Sequence, residues 1–123
     1  MAKFQYVKNN DVEVPAPDEL IAGHKGAVTV DKITINTVGE YKRGQLMMSA
    51  SGGIFIPVTK AGIASANEVC ILCNNFVIDE NETVEVPAYF SGDFNASKVI
   101  LPDGTEISDV TFVCRKNKIF LRG

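Results

Sequence analysis

From Gly26 onward the apolar residues recur with a period of two. Ala27-Val28-Thr29-Val30 leads through Asp31-Lys32 into Ile33-Thr34-Ile35-Asn36-Thr37-Val38, which alternates as a half-buried strand does and is closed by Gly39. Tyr41 to Met48 reads as a turn feeding another strand. Ser49-Ala50-Ser51-Gly52-Gly53 then turns the chain into Ile54-Phe55-Ile56-Pro57-Val58, which predicts a hairpin. Pro57 has no N–H for a ladder, so its strand lies at an edge or ends there. After the small-residue stretch Thr59–Glu68, the run Val69–Cys73 is apolar throughout and predicts a strand buried on both faces.

Phe76-Val77-Ile78 is followed by the polar turn Asp79-Glu80-Asn81-Glu82, and Thr83 to Phe90 alternates again until Ser91-Gly92-Asp93 ends it. Asn95 is a good N-cap, so a short helix is predicted from there to about Ile100, where Pro102 stops it. Asp103-Gly104 signals a turn. Val110–Cys114 and Ile119–Leu121 flank the basic residues Arg115-Lys116-Asn117-Lys118 and read as a C-terminal hairpin. The expected fold is mainly β: a small, single-domain, barrel- or sandwich-like α+β fold with one short helix.

Residues 1–20 follow another pattern. Lys8-Asn9-Asn10-Asp11 is polar, Val12-Glu13-Val14 is too short for an independent strand, and Pro15 and Pro17 forbid a helix and favour extended backbone. The segment reads as a tail or as a flexible arm that can add to a partner's sheet edge, anchored by Phe4, Tyr6, Val7, Val12 and Val14. The remaining residues, 21–123, form the β-rich domain.

Composition narrows the function. At 123 residues there is room for one domain, and 46% apolar with 22% charged residues is a globular balance. A net charge of −3 lacks the cationic surplus that phosphate backbones require, so nucleic acid is not an expected partner. No apolar stretch is long enough to span a bilayer, and the first residues lack an apolar centre followed by a small-residue cleavage site. No membrane role and a cytoplasmic site of synthesis are therefore expected.

Three cysteines in a reducing compartment predict free thiols. Cys70 and Cys73 spell C-x-x-C, but a strand points residues three apart to opposite faces, whereas a redox pair needs a helix N-terminus. Cys114 and the single His24 do not complete a four-ligand zinc set. His24 lies between glycines with no nucleophile in a recognisable setting, so a loop histidine is expected. The carboxylates Asp79, Glu80 and Glu82 crowd one polar run, where solvation is the ordinary outcome, and the basic run 115–118 reads as a solvated turn. Asn81-Glu82-Thr83 and Asn95-Ala96-Ser97 spell glycosylation sequons but read as a turn and a cap. No catalytic residue, cofactor, metal or small-molecule substrate is expected; the sequence points to a protein that binds proteins.

Residues 41–100 carry a resemblance. Gly44-Gln45-Leu46 resembles a strand start, and Ala66-Asn67-Glu68-Val69-Cys70-Ile71-Leu72-Cys73 resembles small residues followed by a G-I-L strand, with Glu68-Val69-Cys70 in place of alanine-valine-glycine. Asp79–Thr83 occupies the polar turn, and Val84 to Asn95 is similar to a strand ending in G-x-F before a short helix. Together they resemble the lambda-type head decoration proteins of tailed bacteriophages, across roughly half the chain.

The resemblance implies a homotrimer on the surface of the virion, made in the host cytoplasm and bound to the major capsid protein of the expanded icosahedral head. It would stabilise that head against internal DNA pressure, with the N-terminal arm joining a capsid-protein strand. It places trimer contacts around Tyr89, Phe90, Gly92, Phe94 and Asn95. Two other readings compete: a head fibre or receptor-facing β-module, and a small β-barrel enzyme using Asp79, Glu80 and Glu82.

Overall fold

The computed structural model describes residues 20–21 and 28–122. Eight strands form: β1 (Thr29–Ile35), β2 (Gly39–Tyr41), β3 (Leu46–Ser49), β4 (Phe55–Pro57), β5 (Val69–Leu72), β6 (Phe76–Ile78), β7 (Val84–Asn95) and β8 (Ile119–Arg122). Two α-helices join them, α1 (Lys60–Ile63) and α2 (Ile107–Lys116). The main sheet runs β1-β7-β5-β3-β4, with β8 added beside β7, and β2 and β6 make a separate two-stranded ladder. All pairings are antiparallel except β7–β8.

Alternation decides which side each residue serves. In β5, Val69 and Ile71 enter one apolar cluster while Cys70 and Leu72 enter another. In β3, Leu46 and Met48 join the first and Met47 the second. The central strands therefore have no solvent face, which is why Val69–Leu72 is buried throughout.

The second cluster draws on all five strands of the main path and is covered by Tyr41 and Ile78 of the β2–β6 ladder. The Tyr41 ring stacks on Phe76 at 5.0 Å, and its hydroxyl donates to the Thr37 carbonyl at 2.6 Å. The first cluster lies on the other side, beneath Val110, Val113 and Cys114 of α2 and Ile63 of α1. Strands β1 and β4 stand at the two ends of the path, and Thr34 of β1 bridges Ile54, the residue just before β4. The sheet thus curls around the second cluster without becoming a closed barrel.

The hairpin predicted for 46–58 is present, with Met48 opposite Ile56 and Pro57 in the terminal strand. The C-terminal hairpin is not. Residues 107–116 are helical, and β8 runs parallel to β7, a connection that needs a crossover element between the strands. Val110, Val113 and Cys114 face inward at helical spacing, and the Asp109 carboxylate accepts the Glu106 N–H at 2.8 Å to hold the first turn. Arg115 and Lys116 complement the dipole of the last turn.

The helix predicted from Asn95 is corrected as well. A three-residue 3-10 turn, Ala96–Lys98, stands there, and the Asn95 side chain makes no cap hydrogen bond. Nor does Ser91-Gly92-Asp93 end the strand. β7 continues to Asn95 and changes neighbours on the way, pairing β1 and β5 in its first part and β8 in its last. At the change, register slips between Thr29 and Val30, so Phe90 has no residue opposite it. Gly92 has φ +138°, and a Cβ there would lie 2.6 Å from Val28 Cγ1.

Leu20, at the end of the segment read as an arm, is a core residue at 1% exposure. Its carbonyl accepts the Asn95 N–H at 2.8 Å, and Ile21 bridges Phe94.

Candidate functional site

The turn after β2 and the loop after β5 meet around Arg43. Its backbone N–H donates to Asn75 Oδ1 at 2.7 Å, which ties the turn to the loop. Its guanidinium donates to the Cys73 carbonyl at 3.0 Å and to the Tyr89 hydroxyl at 2.9 Å, and lies 5.6 Å from the Tyr89 ring centre. Arg43, Cys73, Asn74, Asn75 and Tyr89 line a surface recess of about 530 Å³. Sequence reasoning did not find this group. Its members come from three separate segments, and no spacing in the chain marks their convergence.

The chemistry of the recess is that of a fixed polar surface. Burial pushes the Cys73 thiol up to about 11, although Arg43 and the hydrogen bond with Tyr89 act against that rise. Burial also raises the Tyr89 phenol. Both groups stay protonated near neutral pH, so neither offers the anion a nucleophile or metal ligand needs. Cys70 is raised by burial, with Cys73 and Glu68 adding to the effect, and burial raises Cys114 to about 12. All three cysteines are free, and Cys70 and Cys73 enter opposite apolar clusters as the strand period predicts.

The acidic run is a turn. Asp79 and Glu80 are exposed, the Glu82 carboxylate accepts the Asp79 N–H at 2.8 Å, and Asn81 takes φ 64°. Among the described residues, no three His, Cys, Asp or Glu side chains are grouped to hold a metal ion. No described helix is long and apolar enough to cross a membrane. His24 and the arm residues Phe4, Tyr6, Val7, Val12 and Val14 lie outside the described residues.

The five residues assigned to trimer contacts do not share a surface. Phe94 is fully buried in the first cluster, so its side chain has nothing left to offer a partner. Tyr89 packs into the same cluster and against Phe94, with ring centres 5.4 Å apart. Phe90 points the other way, half-buried against the second cluster and edge-on to Phe55 at 6.0 Å. Gly92 and Asn95 are partly exposed where β7 meets β8.

No protein-family profile matches the chain, and no curated protein matches it as a relative.

Proposed function

We propose that the protein is a virion structural protein, a trimeric head decoration protein that acts by adhesion and not by catalysis. In this reading it binds the major capsid protein of the expanded head and stabilises the shell against the pressure of packaged DNA. The observation that carries it is the resemblance of Val69 to Asn95, the stretch that forms β5, β6 and β7 in the middle of the fold.

Two features of the chain suit the task. The curled sheet is packed on both faces and gives a rigid body. Leu20 is anchored beside the end of β7, so the segment before it is joined to that body at a fixed point. A trimer would present three such segments, and weak contacts repeated around a symmetric assembly sum to firm attachment. Since Phe94 is buried, contacts between protomers in this region fall to the exposed parts of Phe90, Gly92 and Asn95.

The reading is tested by deleting residues 1–19, which leaves the Leu20 anchor intact, and measuring co-sedimentation with expanded heads of the phage whose genome encodes the protein. A folded variant that no longer sediments with heads is the expected outcome. Unchanged binding contradicts the arm's role.

A further inference from the structure

The two apolar clusters are covered by different elements, and each cover turns its other face to solvent. The β2–β6 ladder covers the second cluster through Tyr41 and Ile78, and α2 covers the first through Val110, Val113 and Cys114. On the outside of the ladder Glu40 stands opposite Val77, and both are exposed, Val77 at 53%. Val38, just before β2, is 56% exposed. On the outside of α2, Phe112 is 69% exposed, and Arg115 and Lys116 follow it at helical spacing on the same exposed side. The Lys116 ammonium lies 5.6 Å from the Phe112 ring centre.

These two outer faces complement each other. Each has an apolar centre, and exposed apolar side chains gathered in one place mark an interaction surface. Among the described residues five large apolar side chains are exposed, and Val38, Val77 and Phe112 are three of them. The borders carry opposite charge. Residues 110–118 include no Asp or Glu, whereas the ladder strands and the turn 79–82 include no Lys or Arg. Within one chain the main sheet and its two clusters stand between the faces, so they can meet only between copies.

We infer that copies of the chain associate head to tail, with the outer face of α2 on one copy seated on the β2–β6 ladder of the next. Phe112 packs against Val38 and Val77, and Arg115 and Lys116 face Glu40. The apolar centre supplies attraction, while the charges set the orientation and disfavour pairing of like faces. Because the two surfaces differ, each copy of a pair keeps one of them open, and the contact repeats. The contact stands apart from the virion reading; only its closure into a ring of three rests on that reading.

Sedimentation velocity of the full chain over a concentration series, with no heads present, tests the contact. The parent chain should self-associate, its mass levelling off at three copies. Glu40→Lys should weaken association about tenfold or more, and adding Arg115→Glu to that variant should restore most of it. Phe112→Ser and Val77→Ser should each be mainly monomeric alone yet form heterodimers when mixed, because each variant keeps the face that the other has lost. All of these side chains are exposed, so the urea midpoints should match the parent's and exclude unfolding as the cause. A parent chain that stays monomeric at about 1 mM, association indifferent to Glu40→Lys, or a mixture without heterodimers overturns the proposal. A mass that keeps rising with concentration supports the contact and contradicts the trimer of the virion reading.

Discussion

Gly92 sits where β7 exchanges one set of neighbours for another, and both its backbone and its surroundings exclude a side chain. Its φ of +138° is open to glycine and strained for other residues, and a Cβ would press on Val28 at 2.6 Å. Gly92→Ala should cost about 2–3 kcal/mol, measured by urea unfolding; a loss below about 0.5 kcal/mol would contradict the strained geometry. The thiols set a second prediction. Cys73 is raised from 9.0 to about 11 and Cys114 from 9.0 to about 12, so folding favours their protonated forms. That contribution is fully present below about pH 9 and is lost as pH rises through the folded values. The urea midpoint should therefore fall between about pH 9 and 12, and Cys114→Ala should make the fall shallower. An unchanged slope in that variant would contradict a buried, neutral Cys114.

Among the elements, α2 separates what the sequence displayed from what it hid. Val110-Thr111-Phe112-Val113-Cys114 is β-branched and aromatic, and its local preference is for a strand. Tertiary packing overrides that preference. At helical spacing Val110, Val113 and Cys114 reach the first cluster together, while Phe112 is left 69% exposed, with the Lys116 ammonium 5.6 Å from its ring centre. Helix and hairpin thus assign different burials, which mutagenesis can separate. Val113→Ser should cost about 2 kcal/mol, from lost packing and a buried hydroxyl. Phe112→Ser should stay within about 0.5 kcal/mol. The reverse order in thermal or urea unfolding would favour the strand.

The strands were more legible because their burial follows the period of two on both faces. Ile33 and Ile35 are buried on either side of Thr34 as the alternation predicts, although the strand runs Thr29–Ile35 and leaves Val38 exposed beyond its end. The apolar run from Val69 forms a strand through Leu72, and the Gly52-Gly53 turn stands where the pattern places it. The parallel β7–β8 pairing left no local mark, since it depends on a crossover and not on a turn. The Arg43–Tyr89 recess left none either, because its residues meet only after β5 and β7 pair. Phe94, placed among trimer contacts by the resemblance, is buried in the first cluster, and strand alternation alone does not say which face of β7 the core takes.

At the scale of the whole molecule, a curled sheet packed on both faces holds Leu20 beside the end of β7. In the proposed function that arrangement serves as a plug whose preceding segment contacts a shell. The proposed virion role is tested most directly by cryo-microscopy of expanded tailed-phage heads incubated with the purified protein. The account predicts three-fold density at the local three-fold positions of the shell, with residues before Leu20 running as an added strand on a capsid subunit. Heads that stay bare at saturating protein would contradict it.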